Sequence, residues 1–310
     1  MNRAWLILRH IQPSTLNIRQ LSTPANMSFT LPSGAIVPVP AFGSGTKWYK
    51  PGDPTINRAV VDAIVSAVKL GYRHIDCAEV YGTEGEVGVA IKECGVPREE
   101  LFITGKIYQA IKDPRLALTE TLKKMDTDYL DLYLIHCPFF DEKSHGISIP
   151  KAWEIISELK AEGKIKDIGV SNFAIADLEL LADAEEKVAV NQIEFNAYLQ
   201  DQTPGIVDYC HSKGIVLEAY TPLGPIAAKP GPLDPIIAKI AAKYGKDEGQ
   251  ILLRWVYQRN VLPITTSAKP ARQASNKDIF GFELTAEEMS EINEFGSKKH
   301  YRSYWNAQMD

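Results

Sequence analysis

"YLDLYLIHCPFFDEKSHGISIPKAWEIISELKAEGKIKDIGV" runs from Tyr129 to Val170. YLDLYLIH reads as a strand, PKAWEIISELKAEG as a helix and IKDIGV as a second strand. Two strands joined across a helix lie parallel, because a tight hairpin would need only a few linking residues. The same unit recurs on both sides. Upstream, TINRAVVDAIVSAVKLG places Ile56, Val60, Ile64, Val65 and Val68 at helical spacing, with Gly71 as a stop, and YRHID follows as a strand. TEGE reads as a capping box, with Thr83 as cap and Glu86 bonding back, and opens the helix GEVGVAIKECG. LFITGK is a strand and PRLALTETLKKM a helix. Downstream come the helix AIADLELLADA, the strand VAVNQIEF, and the helix TPGIVDYCHSKG with Thr203 as cap and Pro204 at its first position. IVLEAY and VLPIT are the last strands, separated by the helices DPIIAKIAAKYG and DEGQILLRWVYQRN, and a capping box at Thr285 opens a final helix.

Counted from VPAFGSG, eight short strands alternate with helices. That pattern predicts an α/β fold, a (β/α)8 TIM barrel. The competing architecture, a doubly wound open sheet, would announce a dinucleotide site as G-x-G-x-x-G after its first strand. GSGTKW has only the first two of those glycines, and GTEGEVG has the wrong spacing. FTLPSG and AIVPVPAFG, with turn residues between them, predict an N-terminal β-hairpin capping the barrel.

Composition narrows the function. The chain has 310 residues and a formal net charge of -5, which disfavours a general nucleic-acid binder. No apolar run has the length of a membrane span. Cys77, Cys94, Cys137 and Cys210 lie far apart, as free thiols in a reducing compartment do. The first 52 residues contain no acidic side chain, and Arg3, Arg9 and Arg19 punctuate them. Residues 1–26 are therefore expected to be a leader or a mitochondrial presequence, and 27–310 a single barrel. The cytoplasm is the expected compartment, with mitochondria the alternative if the leader is a targeting signal.

Working residues of a TIM barrel sit at the C-terminal ends of its strands. Here those ends supply Gly45 and Thr46, Asp76 with Tyr81 beyond it, Lys106, His136, Ser171 and Asn172, Gln192, Tyr220, and the loop from Thr265 to Arg272. Each alone has a plain structural reading: an Asp can cap a helix, a Tyr can line a rim, a Lys can snorkel to water and a His can bond within a core. Their convergence on one mouth is what asks for chemistry, since buried charges there must be paired.

HIDCAEVYGTE, ITGK, LIHCP, GVSNF, NQIEFNAY, AYTPLG and QILLRW, in that order and spacing, resemble the signatures of the aldo-keto reductase family. The resemblance runs from about Phe29 to the C-terminus. AFGSGTKWYK and ITTSAKPAR are similar to a fungal ketoreductase branch that includes conjugated polyketone reductases. The family implies reduction of an aldehyde or ketone, such as a cyclic diketone or keto-lactone, by hydride from NADPH, with NADH the weaker alternative. It implies no metal, and a monomer or weak dimer whose partner is a small carbonyl compound. A cofactor-binding member without turnover is the alternative within the family, and an unrelated barrel isomerase or lyase lies outside it.

The resemblance assigns Asp76, Tyr81, Lys106 and His136 to catalysis. Tyr81 would be the general acid, its pKa brought down by Lys106, which Asp76 holds in place. His136 would orient the carbonyl and steady its oxyanion. Ser171, Asn172 and Gln192 are expected at the nicotinamide carboxamide and Tyr220 under its ring. Pro222, Leu223 and Gly224, in the TPLG loop, are expected at the pyrophosphate, and Gly45, Thr46 and Lys47 at the nicotinamide ribose. Thr266, Ser267, Lys269 and Arg272 would hold the adenosine 2′-phosphate and Asn276 the adenine. Thr266 stands where many members carry a Lys, so Lys269 is expected to compensate. Trp48, Tyr108 and Phe139 are the expected substrate contacts, with Tyr304 or Trp305 added from the tail. Gly105, Tyr108 and Cys137 depart from the common family residues, and Cys77 and Cys137 read as packing cysteines.

Overall fold

The computed structural model describes residues 28–309. The predicted leader, residues 1–26, lies outside the described residues. Eight parallel strands close a barrel: β3 (Ala41–Gly43), β4 (His74–Asp76), β5 (Phe102–Ile107), β6 (Leu130–Ile135), β7 (Ile165–Ser171), β8 (Val190–Glu194), β9 (Val216–Tyr220) and β10 (Val261–Thr265). β10 pairs with both β9 and β3, which seals the cylinder. The predicted hairpin is also present, as β1 (Ser28–Thr30) and β2 (Ile36–Pro38), antiparallel with Phe29 opposite Val37.

Two apolar cores follow from this geometry. The larger lies between the strands and the surrounding helices, and includes Val60, Ile64, Trp153, Ile156 and Trp255. The smaller fills the barrel, where Phe102, Leu132, Leu134, Val190 and Leu262 meet Leu31 and Val37 from the hairpin segment. The hairpin thus plugs the end of the barrel opposite the strand C-termini, and Ser33 Oγ pins its turn to Asp167 at 2.9 Å. All six residues of β6 are buried, including Asp131. Asp131 is tolerated because Arg98 Nη1 reaches it at 2.8 Å, Lys166 Nζ at 3.1 Å and the Ile103 amide at 3.0 Å.

Several expected helix starts are corrected. The first helix is Arg58–Lys69 with Asn57 as its cap, so Ile56 precedes it and is exposed rather than on its apolar face. TEGE forms no capping box. The Thr83 hydroxyl is buried and turned away to Ser44 O and Oγ, while Glu86 accepts from the Asn57 amide and pairs with Lys50. Both side chains have been taken by tertiary partners, which a local motif does not reveal. Thr203 caps nothing and Pro204 lies outside the helix Ile206–Ser212. Gly205 is its cap at φ 76°, and Asp201 Oδ1 accepts from the Val207 amide. The helix read from AIADLELLADA shrinks to Ile175–Glu179. The capping box at Thr285 is present, as is one at Asp247.

The helix Glu84–Glu93 packs closely against the end of Pro114–Met125 through Gly88. A Cβ there would stand 2.7 Å from Met125 O and 2.8 Å from Lys124 O. Alanine would favour the helix by about 1 kcal/mol, but the backbone it meets cannot step aside. Gly88→Ala is expected to destabilise by about 1–3 kcal/mol, lowering Tm by roughly 2–10 °C. Thermal unfolding followed by circular dichroism checks this, and a raised Tm would contradict the packing.

Candidate active site

The strands bring the predicted polar residues to one mouth. β4 ends at Asp76, and neighbouring β5 carries Lys106. Their side chains form an ion pair at 2.7 Å, with 4% and 0% of their surfaces exposed. Lys106 Nζ also donates to Cys77 O at 3.2 Å and lies 3.1 Å from the Tyr81 hydroxyl. His136, just past β6, sets its ring edge-on to Tyr81 with centroids 5.7 Å apart. Gly45 makes room for this arrangement: a Cβ there would lie 2.7 Å from the Tyr81 ring. A Cβ at Gly105 would lie 2.8 Å from the end of the Leu130 side chain, which would have to shift to admit the common family residue.

Burial, a larger effect that was not foreseen, opposes the expected downward pull of Lys106 on the Tyr81 pKa. It pushes the pKa up to about 12, and Asp76 adds to the rise. Burial thus outweighs the ammonium, and Tyr81 rests as a phenol. For Lys106 burial works against the charged form, but Asp76 and then Tyr81 outweigh it and hold the pKa above its ordinary value. Burial, helped by the Lys106 charge, keeps the His136 imidazole well below its usual pKa, so it is neutral. Burial also pushes the Cys77 and Cys137 thiols up to about 12, as suits packing cysteines.

Above this set opens a cavity of about 1090 Å³. Asp76, Tyr81, His136, Asn172, Gln192 and Tyr220 line its floor, together with Gly45, Thr46, Thr266 and Pro222 to Gly224. Tyr108 lines it too, as do Tyr49, Tyr304 and Trp305. Other predicted residues stand elsewhere. Trp48 is buried in the core against Phe42, and its neighbour Tyr49 takes the place expected for it. Phe139 lies behind the lining, with its ring 4.9 Å from Trp305. Lys47 is exposed off the cavity, and Ser171 is buried behind Asn172 with its hydroxyl on Gln192 O.

Two predicted cofactor residues, Asn172 and Tyr220, are tied to each other, and a third, Gln192, is tied to the polar core of the site. Asn172, at φ 64°, donates from its amide nitrogen to His136 O and accepts at its amide oxygen from the Tyr220 hydroxyl at 2.6 Å. Gln192 Nε2 bonds Asp76 Oδ1 and Glu218 Oε2, each at 2.9 Å. Asp76, held in its ion pair with Lys106, can only accept, so the amide's orientation is set by it and the amide oxygen is left for another donor. Glu218 itself was not foreseen, because a glutamate inside the strand motif IVLEAY gives no local sign of facing the barrel interior.

Beyond β10, Ser267 and Asn276 are buried while Lys269 and Arg272 are exposed at the start of the helix Pro270–Lys277. Its first turn holds no acid, and neither cation is in an ion pair among the described residues. Gln273, also unforeseen, fastens this loop from inside: its amide reaches Ser267 O at 2.8 Å and Ala63 O at 2.9 Å.

Fold and site define a (β/α)8-barrel oxidoreductase with an Asp–Lys–Tyr–His cluster under a deep cleft. Comparison with known proteins agrees. The aldo/keto reductase family model matches residues 41–297. An NADPH-dependent alpha-keto amide reductase of Saccharomyces cerevisiae is 46% identical over 90% of this chain and 94% of its own length. A NAD/NADP-dependent indole-3-acetaldehyde reductase of Schizosaccharomyces pombe is 41% identical over 87% of this chain and 96% of its own length. A Bombyx mori aldo-keto reductase crystallised with NADP superposes with a TM-score of 0.77 at 36% identity, covering 86% of this chain and 92% of that one. The chain belongs to the aldo/keto reductase family.

Glu218 makes the site pH-sensitive in stability. Burial raises its carboxyl from 4.5 to about 7, against the bond from Gln192, with the Asp76 charge adding to the rise. Between those values the folded protein keeps a proton that the unfolded chain has released, so stability falls as pH rises. Relative to Glu218→Gln, wild type is expected to lose about 3 kcal/mol between roughly pH 4.5 and 7, with no further change in the gap above that. Urea unfolding across this range measures it, and parallel curves for the two proteins would refute it.

Proposed function

We propose that this protein reduces an aldehyde or ketone to an alcohol with NADPH, using Tyr81 as the general acid. The observation that carries the reading is the Tyr81 hydroxyl, 3.1 Å from a buried ammonium that is paired in turn with Asp76, beside a neutral His136. A dinucleotide held in this cleft would supply the hydride. As negative charge grows on the carbonyl oxygen, Tyr81 transfers its proton there. Lys106 then faces a forming phenolate, and its charge stabilises that state more than the resting phenol. Asp76 keeps the ammonium in position, and His136 directs the carbonyl oxygen toward Tyr81.

The residues fit the dinucleotide. Gln192 leaves an amide oxygen for a carboxamide N–H, Tyr220 and Asn172 stand beside it, and the backbone from Pro222 to Gly224 lines the cleft. We assign the 2′-phosphate to Ser267, Lys269 and Arg272, because a helix start without acids and with two available cations suits it. Asn276 is assigned to the adenine. NADH remains the weaker alternative. Tyr49, Tyr108, Tyr304 and Trp305 favour an aromatic or apolar carbonyl. The yeast relatives named for an alpha-keto amide and for indole-3-acetaldehyde support such a substrate here. We read residues 27–310 as a single barrel domain and the protein as a monomer or weak dimer. We place it in the cytoplasm, with mitochondrial import the alternative if residues 1–26 act as a presequence.

Tyr81→Phe is expected to cut the reduction rate about 10²- to 10⁴-fold while NADPH still quenches tryptophan fluorescence. Equal turnover by variant and wild type over a panel of aldehydes and diketones would overturn the assignment. Arg272→Ala is expected to lower the preference for NADPH over NADH roughly ten- to a hundred-fold, one charge-assisted contact. An unchanged ratio of kcat/KM for the two nucleotides would remove the phosphate from this loop.

A further inference from the structure

Glu194 closes β8 and is fully buried, yet it has no place in the proton-transfer set. Its carboxylate gathers three donors from two separate segments. Oε1 accepts from the Thr221 hydroxyl at 3.0 Å and from the Ser303 amide at 2.7 Å. Oε2 accepts from the Tyr304 amide at 3.1 Å. Thr221, at φ 51°, opens the loop assigned to the pyrophosphate. Ser303 and Tyr304 belong to the C-terminal tail, and both line the cavity. One side chain therefore fastens the nucleotide wall of the cleft to its substrate wall.

We propose that Glu194 is a positioning residue that couples nucleotide binding to the shape of the substrate mouth. The inference rests on the proposed NADPH-dependent reduction. The physical reason is the shared oxygen. Thr221 and Ser303 both donate to Oε1, so ordering the loop fixes the atom on which the tail is hung. A carboxylate is needed for this. Glutamine would have to turn its N–H2 toward one of three donors, leaving two like groups facing each other. Nucleotide bound at the loop holds the tail in place, and an aromatic substrate meets Tyr304 already set.

Hydrogen exchange at the Ser303 and Tyr304 amides reads the coupling directly. In wild type, NADPH is expected to slow it about tenfold, equivalent to ~1.4 kcal/mol of coupling. In Glu194→Ala, which removes the shared oxygen, exchange is fast with or without NADPH. KM for an aromatic aldehyde rises about tenfold at little cost in kcat, the mark of lost uniform binding, while KM for a two- or three-carbon aldehyde stays the same. Thr221→Val separates coupling from anchoring, and it carries the test should the Glu194 variant fold poorly. It keeps slow tail exchange in the free protein but loses the response to NADPH. The proposal is overturned if NADPH slows tail exchange as much in Thr221→Val as in wild type. It is also overturned if wild type binds and oxidises NADPH with no change at the tail. A wild type that neither binds nor oxidises NADPH defeats the underlying functional reading instead.

Discussion

The buried pair of Asp76 and Lys106 is the constraint around which the mouth of the barrel is built. Removing two ions from water costs several kcal/mol each even after relaxation, and their attraction offsets this only when the remaining donors and acceptors are also satisfied. Here they are. Asp76 has Gln192 on its other side, and Lys106 adds Cys77 O and Tyr81 to its carboxylate partner. Of the ammonium's three partners, Tyr81 alone carries a proton that it can give away. The pair thus places the lysine's third N–H on the one partner able to act as an acid. Burial is what keeps Tyr81 protonated at rest, while Lys106 favours the phenolate against a smaller opposing push from Asp76.

This arrangement needs the whole cylinder. Asp76 and Lys106 come from adjacent strands in register, but Gln192 comes from β8, 116 residues later in the chain. Gln192 reaches Asp76 only because the sheet closes on itself. The hairpin at the far end contributes indirectly, by filling the interior below the polar layer with Leu31 and Val37. An apolar floor raises the cost of every unpaired charge above it, and Glu218 shows the result: a carboxyl deep in the barrel holds its proton up to about pH 7. Chemistry at the mouth and packing at the base are therefore one electrostatic problem.

Much of this was legible in the sequence because it was periodic or local. Strand–helix alternation gave the barrel, and strand ends gave Asp76, Lys106 and His136. The failures share one cause. Thr83 and Glu86 fit a capping pattern, but Ser44, Asn57 and Lys50 claimed them through the fold. Trp48 and Tyr49 are adjacent aromatics, and a single turn of 3-10 helix decides that the first goes to the core and the second to the cavity. Glu194, Glu218 and Gln273 are polar residues inside regular elements, where the sequence offers no sign of which face is closed. Their meaning depends on partners more than twenty residues away.

Those three residues divide the molecule's labour. Asp76 and Lys106 are mounted on strands, with Tyr81 on a short turn after β4 and His136 just past β6, whereas the segments around Thr221, Ser267 and Ser303 that border the cleft are loops and tail, each fastened by a buried polar anchor. The distinction bears on how the nucleotide is chosen. The Thr266 hydroxyl, which stands where many members carry a lysine, donates to Gly43 O at 2.9 Å. It helps close β10 onto β3, and turning to a phosphate would break that bond. Ser267 already accepts from the Lys269 amide at 3.1 Å and shapes the turn. On the proposed assignment the charge offered to a 2′-phosphate therefore comes from Lys269 and Arg272, both exposed and in no ion pair among the described residues. Exposed charges act through screened fields. A preference built on them is weaker, and more dependent on salt, than one built on a buried cation.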